Sequence, residues 1–149
     1  MFISHTQEII ILSTTRELTI DAKVDNLHRV QAFIDEDLDA AGCPAAAHMQ
    51  LEVAVEEIFV NIASYAYEGQ TGKARIIITR EEDPARVMIS FCDSGKPFDP
   101  LAKPDPDVTL PAEERQIGGL GIFMVKKSMD DMSYEYKNGE NILTITKSL

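Results

Sequence analysis

The sequence is poor in basic residues and in residues that bind metals or form disulfides. Its 149 residues include 14 Lys and Arg against 25 Asp and Glu, no Trp, two Cys and three His. The net charge of −11 argues against nucleic acid as a partner, because a protein that neutralises phosphates needs the opposite balance. Because Cys92 lies inside a strand-like run, we expect Cys43 and Cys92 to be buried thiols in a reducing compartment and not a disulfide, and no Cys and His spacing typical of a zinc site is present.

Long apolar runs are also absent. The longest one near the start is Ile9 to Leu12, which no basic cluster precedes. Neither a secretory signal nor a membrane span is expected, so we predict a cytoplasmic protein without membrane contact. The length fits one domain, and we predict a single domain over residues 1–149.

Apolar residues recur at spacings of three and four in two long segments, which predicts two amphipathic helices. The first begins after a capping Asp25 and ends at Gly42, and the second runs from Pro44 to about Ala66. The outer face of the first helix is expected to be solvated or, alternatively, to dock a partner; its acidic residues are Asp35, Glu36, Asp37 and Asp39.

Alternating and β-branched runs predict the strands, and Asn138-Gly139 is typical of a hairpin turn between the last two. One further helix is predicted from Gly121 to Met129. The order of these elements predicts an α+β fold, a two-layer sandwich in which a mixed or mostly antiparallel sheet carries helices on one face. The predicted strands are a short one at Ile9 to Leu12, then Glu17 to Ala22, Ala74 to Arg80, Arg86 to Asp93, Met132 to Lys137 and Asn141 to Lys147.

A long loop separates the two halves of the predicted sheet. Five of the seven prolines fall between residues 97 and 111, where they exclude a helix or a central strand. Loops of this length inside a compact domain are usually functional lids or disordered linkers. We predict a lid over about residues 97–117.

The first candidate site lies on the second predicted helix. Glu57 and Asn61 are one turn apart on the same flank, whereas Glu56 points to the other side. The amide oxygen of Asn61 suits a hard cation such as Mg²⁺, and Glu57 can accept a proton from an attacking hydroxyl. A surface hydrogen bond between the two side chains is the alternative.

The second candidate site follows the strand that ends at Asp93. Alternation places Asp93 on the same face as Val87, Ile89 and Phe91, so its carboxylate is aimed at the apolar layer and needs a donor. The exocyclic amine of adenine would satisfy it, and Gly95 permits close approach of a flat ring. The alternative is an aspartate that binds the turn amides of Asp-Ser-Gly.

The third candidate site is a glycine cluster, Gly118, Gly119 and Gly121, immediately before the predicted helix. Backbone amides crowded at a helix N-terminus form a phosphate cradle. Glycines needed for packing are the alternative, and no Walker motif is present because Gly-Lys-Ser/Thr does not follow.

In this order, E-x-x-x-N on a helix, D-x-G-x-P-F-D-P after a strand, a lid and G-G-x-G-I-x-M-V resemble the GHKL (Bergerat) ATP-binding superfamily. NIASYAY and GGLGIFMVKKSMDDM look most like bacterial anti-sigma factor serine/threonine kinases, and the resemblance covers Leu18 to Lys147. It implies a GHKL-type sandwich with an ATP lid, and ATP and Mg²⁺ as ligands. The implied partners are a sigma factor and a STAS-domain anti-anti-sigma protein that is phosphorylated on Ser or Thr, with a homodimer left open.

The resemblance also implies roles for single residues. Glu57 becomes the catalytic base, Asn61 the Mg²⁺ ligand and Asp93 the acceptor of the adenine amine. The remaining implied nucleotide contacts are Gly95 behind the adenine, Gly119 and Gly121 beside the triphosphate, Gly118 in the supporting turn, and Arg115 or Lys96 on a phosphate.

The chain departs from the family pattern at two positions. Many relatives have His where this chain has Tyr65, and many have Thr in the last strand where the nearest match here is Asn141. The main alternative function is a nucleotide-dependent partner-binding module with little or no kinase activity. A detached catalytic domain of a histidine kinase is a third interpretation, and accidental motifs in a plain domain are a fourth.

Overall fold

The computed structural model describes residues 13–102 and 120–149. The predicted strand Ile9 to Leu12 and most of the predicted lid lie outside the described residues. A 3₁₀ turn (Val24–Asn26) precedes the first helix, and a π-helical segment (Ile62–Ala66) follows the second. The main elements in chain order are β1 (Ser13–Asp21), α1 (Leu27–Ala40), α2 (Ala45–Asn61), β2 (Lys73–Glu81), β3 (Arg86–Asp93), α3 (Leu120–Ser128), β4 (Asp131–Lys137) and β5 (Glu140–Ser148).

The strands form one sheet in the order β1-β2-β3-β5-β4. Each of the four pairings among the described strands is antiparallel, so the sheet contains no parallel pair in this part of the chain. Asn138 and Gly139 have φ angles of 55° and 79°, as a two-residue hairpin turn requires. The predicted α+β sandwich is confirmed.

The core lies between the helices and one face of the sheet. Alternate residues of β2, β3 and β5 point toward the helices, and register sets Phe91 beside Ile76 on one side and Leu143 on the other. The stripes of α1 and α2 cover this face, as their spacing predicted. The largest fully buried helix residues are Val30, Ile34, Leu38, Leu51, Val55, Ile58 and Phe59.

Asp37 is an exception to the predicted solvated face of α1. Its side chain is only 4% exposed and accepts a 2.7 Å hydrogen bond from Arg16 of β1, while Arg80 of β2 lies 3.7 Å away. The prediction that Asp37 faces water was therefore wrong, because α1 packs with this flank turned toward two sheet arginines. The guanidinium of Arg16 also lies 4.5 Å from the centroid of the Phe33 ring, so an aromatic face covers one side of the Arg16–Asp37 ion pair.

No helix within residues 13–102 and 120–149 is both long and apolar enough to cross a bilayer.

Candidate functional site

A cavity of about 460 Å³ opens between the end of α2, the carboxyl end of β3 and the β4–β5 hairpin. Its volume is in the range of small-molecule sites. Most of its walls are apolar, and its polar groups come from distant parts of the chain. The lining residues are Ile58, Asn61, Ile62, Tyr65, Ala66, Phe91, Asp93, Lys96, Phe98, Pro100, Ile122, Tyr134, Asn141 and Leu143.

Asp93 lies at the floor of this cavity. It is the last residue of β3, is 7% exposed, and shares the buried face with Phe91 and Ile89, as alternation predicted. Its Oδ1 atom accepts hydrogen bonds from the backbone N–H of Gly95 at 2.9 Å and from Asn141 Nδ2 at 3.0 Å. Within the described residues both donors meet Oδ1, so Oδ2 is left for a donor on a ligand. Oδ1 therefore binds a turn amide, as the alternative interpretation predicted, and Oδ2 can still accept a hydrogen bond from a ligand.

Gly95 is held against the π-helical segment. A Cβ atom there would overlap the carbonyl oxygen of Ala66, and the N–H of Lys96 donates to that same oxygen at 3.2 Å. Backbone packing therefore requires a glycine at this position, independently of any flat ring. The contact joins the loop after β3 to the helix that carries Asn61.

Glu57 and Asn61 lie on one flank of α2, as predicted. Asn61 lines the cavity, and the carboxylate of Glu57 rests against Gly121 at the start of α3, where a Cβ atom would overlap Glu57 Oε2. Glu57 is half-buried, whereas Glu56 is exposed. The N-terminal end of α3 favours a carboxylate, because unpaired backbone amides concentrate positive potential there.

Three predicted site residues, Arg115, Gly118 and Gly119, lie outside the described residues, together with residues 103–117 of the predicted lid. Of the described residues from that region, Phe98 and Pro100 line the cavity. Lys96 also lines it and forms a 2.9 Å ion pair with Glu68, with both side chains largely exposed.

A buried polar group centred on Asn141 was not assigned a site role from the sequence. Asn141 is 7% exposed and pairs with Asp93 across β3 and β5. The Tyr134 hydroxyl donates to Asn141 Oδ1, and burial raises the pKa of Tyr134. A sequence signal existed, since alternation in β5 places a polar Asn141 on the same face as Leu143 and Ile145.

Two tyrosines mark the π-helical segment and its end. Tyr65 is 70% exposed and lines the cavity mouth. The Tyr67 hydroxyl accepts a 2.9 Å hydrogen bond from Ser94 N and donates to Lys73 O, and burial raises its pKa. Tyr67 thus fixes the start of the loop that carries Gly95. Isolated π-helical turns often occur at functional sites.

One cluster of metal-ligating side chain types occurs within residues 13–102 and 120–149, away from the cavity. His48 Nε2 lies 2.9 Å from Asp35 and 3.4 Å from Glu52. The hydrogen bond with Asp35 raises the pKa of His48, and the Asp35 carboxyl raises the pKa of Glu52. The three side chains satisfy one another, so we assign them a structural role between α1 and α2.

Comparisons with known proteins found a matching family model and several relatives. A family model for the histidine kinase-like ATPase domain matches residues 20–147. The serine-protein kinase RsbW of Listeria monocytogenes is 32% identical over 108 residues, which are 69% of this chain and 68% of the relative. RsbW of Bacillus cereus is 29% identical over 131 residues, covering 85% of this chain and 81% of the relative.

A solved structure shares the fold. The crystal structure of the RsbU and RsbW domains of a Mycobacterium tuberculosis protein superposes with a TM-score of 0.64 at 17% sequence identity. The match covers 91% of this chain and 32% of that one, so the chain spans about a third of the larger protein.

Proposed function

The chain belongs to the histidine kinase-like ATPase domain family, and on that premise we propose that it binds ATP in the cavity and phosphorylates a protein serine or threonine. The observation that carries the proposal is the convergence of Asn61 and Asp93, from α2 and β3, on one cavity. Glu57 lies one helical turn from Asn61, against the start of α3. The proposed base-binding and metal-binding groups thus line one cavity, and the proposed proton-transfer group lies on the same flank of α2 as Asn61.

The cavity fits a purine that carries an amino group. Its walls are mostly apolar, and the buried Asp93 carboxylate has an oxygen that neither of its described donors occupies. A carboxylate accepts a hydrogen bond from the 6-amino group of adenine but not from the 6-carbonyl of guanine, so adenine is favoured when the 6-position of the ring faces Asp93. Asn61 offers the neutral oxygen that a hard cation accepts, and bound Mg²⁺ would neutralise phosphate charge.

Glu57 has the chemistry of a general base in this proposal. It takes the proton of the incoming hydroxyl while the hydroxyl oxygen bonds to the terminal phosphorus and ADP leaves. Its position at the N-terminal end of α3 fixes the carboxylate next to the segment that would border the triphosphate. Gly118, Gly119 and Arg115 are proposed to complete that border, and residues 97–117 to cover it as a lid.

The partners in this proposal come from the family resemblance of the sequence, and the names of the relatives support a protein substrate. Two of them are named serine-protein kinase RsbW. We infer that the protein substrate is a STAS-domain anti-anti-sigma protein and that a sigma factor is the second partner, as in partner switching. A cytoplasmic location and one domain over residues 1–149 belong to the same proposal, which is compatible with a monomer or a homodimer.

The test is transfer of labelled γ-phosphate from ATP to a STAS-domain protein encoded in the same genome. Glu57→Gln should bind ATP normally and lower the transfer rate by about 10²- to 10⁴-fold, the usual contribution of a general base. Glu56→Gln is the matched control, because its side chain is exposed on the opposite side of α2 and should leave the rate intact. Asn61→Ala should lose metal-dependent ATP binding and transfer together.

Two results would change the proposal. Normal ATP binding without transfer by the unmodified protein would favour the nucleotide-dependent binding module. A silent Glu57→Gln beside an inactive Glu56→Gln would overturn the role of Glu57.

A further inference from the structure

Asn141 uses every hydrogen-bonding position of its side chain. Nδ2 donates to Asp93 Oδ1 at 3.0 Å and to the Lys96 carbonyl at 2.9 Å. Oδ1 accepts from Phe98 N at 3.0 Å and from the Tyr134 hydroxyl. A primary amide has two donor hydrogens and two acceptor lone pairs, so no capacity is left for a ligand.

The chemistry of these partners fixes the orientation of the amide. The Asp93 carboxylate and the Lys96 carbonyl only accept, whereas the Phe98 N–H only donates. Rotating the amide by 180° would set acceptor against acceptor and donor against donor. A threonine has one hydroxyl hydrogen and cannot serve both acceptors.

The same bonds join the cavity floor to its neighbours. Asn141 ties Asp93 of β3 to the loop that carries Lys96 and Phe98, and Tyr134 adds the outermost strand β4. Each of these residues except Lys96 and Phe98 lies within the sheet. The Asp93 carboxylate is therefore held by the Gly95 N–H and by a side chain that is itself fixed through its other hydrogen bonds.

We propose that Asn141 and Tyr134 are positioning residues for base recognition: they hold Asp93 Oδ1 so that Oδ2 receives the amino group of the purine. The inference rests on the proposed binding of ATP. It adds that Asn141 of β5 has no hydrogen-bonding capacity left for the base, so within this network the contact with the amino group falls to the oriented Asp93 carboxylate. If the Asp93 carboxylate were displaced, the protein would bind the amino group less well, while the other contacts of the nucleotide would remain.

The experiment compares ATP with the triphosphate of purine riboside, which lacks the amino group, by calorimetric titration in Mg²⁺. The unmodified protein should prefer ATP by about 10- to 100-fold, the range for a hydrogen bond to a charged group. Asn141→Asp keeps the shape but removes both donors and sets two carboxylates together. Its ATP affinity should fall about tenfold or more, with little change for the analogue.

Tyr134→Phe is the milder variant, because it removes one hydroxyl from the network and retains the ring. It should lower the preference for ATP several-fold while the melting temperature stays close to that of the unmodified protein. Tyr136→Phe is the matched control, since Tyr136 lies on the same strand and is 48% exposed. It should retain the full preference.

The ratio of the affinities for ATP and for the analogue shows whether Asn141 and Tyr134 position Asp93 or only maintain the fold. Equal losses for ATP and the analogue in Asn141→Asp and Tyr134→Phe would show that these residues only maintain the fold, and would overturn the inference. A protein that binds ATP with no preference over the analogue would also overturn it. Failure of the unmodified protein to bind either nucleotide would instead reject the proposed function itself.

Discussion

Gly95 and Gly121 are glycines for different reasons, although both border the candidate site. A Cβ atom on Gly95 would meet backbone, the Ala66 carbonyl, whereas one on Gly121 would meet the end of the Glu57 side chain. Displacing backbone atoms in a packed contact lowers the free energy of unfolding. A glutamate side chain, by contrast, can move away by changing rotamer. Substitution of Gly95 should therefore affect mainly stability, and substitution of Gly121 mainly catalysis.

We predict that Gly95→Ala destabilises the fold by about 1 to 3 kcal/mol, the usual cost of overpacking. Gly121→Ala should leave the free energy of unfolding almost unchanged and lower phosphoryl transfer, because it displaces the Glu57 carboxylate. Urea denaturation and transfer assays on both variants measure this. Full activity in Gly121→Ala would show that the observed position of Glu57 is not needed for transfer.

Among the elements, α1 is attached to the sheet through charge as well as apolar packing. Asp37 faces Arg16 and Arg80, and removing it would leave Arg16 with Glu36 as its remaining acidic partner and Arg80 without the carboxylate it faces. Breaking a fully buried pair costs about 3–5 kcal/mol, and the cost is lower here because Arg16 is 38% exposed.

We predict that Asp37→Ala lowers the free energy of unfolding by about 2 kcal/mol, measured from the midpoint in urea at an unchanged slope. Asp39→Ala on the same helix is the control. Asp39 is exposed, so its loss should change stability by less than about 0.5 kcal/mol. Similar losses of unfolding free energy in Asp37→Ala and Asp39→Ala would mean that the buried ion pair contributes little to stability.

The contact between α1 and α2 should make stability depend on pH. The pKa of His48 is raised above its ordinary value of 6.5, first by the hydrogen bond with Asp35. A raised pKa in the folded state means that the stabilisation is complete below 6.5 and is lost as pH rises through the folded-state value. Glu52, whose pKa is also raised, changes stability in the same direction.

We therefore predict that the stability advantage of the unmodified protein over His48→Gln shrinks as pH rises above 6.5, the ordinary pKa of histidine. Urea midpoints at several pH values measure the difference, and Asp35→Asn should remove the same dependence. Parallel pH profiles for the unmodified protein and His48→Gln would contradict this.

The elements themselves were largely predictable, because periodicity reports which face of a helix or strand is buried. The stripe of α1, the length of α2 with its π-helical end, and both hairpins lie where the pattern predicted them. Periodicity does not report the angle at which a helix packs, so the contact of Asp37 with two arginines was missed. Strand β1 begins four residues earlier than predicted, since its polar start is held by pairing with β2.

The separate motifs of the candidate site could be predicted from the sequence, but the side-chain contacts between them could not. Spacing identified Glu57, Asn61 and Asp93, each from a local pattern. The contact of Glu57 with Gly121 and the bonds from Asn141 to Asp93 join residues far apart in sequence, so only tertiary packing determines them. For the roles of Arg115, Gly118 and Gly119 the sequence remains the sole basis.

For the whole molecule, nucleotide binding should appear as increased thermal stability. A ligand that binds only the native state stabilises it by about 2.7 kcal/mol at a hundredfold excess over its Kd. We predict that ATP and ADP with Mg²⁺ raise the melting temperature by about 5 to 10 °C under that condition, whereas GTP does so far less. Differential scanning fluorimetry measures the shift.

Asp93→Ala should abolish the shift caused by ATP. The Asp131→Ala variant, which changes an exposed carboxylate at the start of β4, should retain it. Equal shifts for ATP and GTP would argue against base recognition by Asp93.

The order of strands in the sheet also bears on how the molecule folds. The β2–β3 and β4–β5 pairs are local hairpins, and short loops close quickly. The pairing of β3 with β5 joins these hairpins across a separation of 48 residues between Asp93 and Asn141. The cavity lies at this seam, so we expect it to form only after the two hairpins have paired, and a nucleotide that fills it should stabilise this long-range pairing.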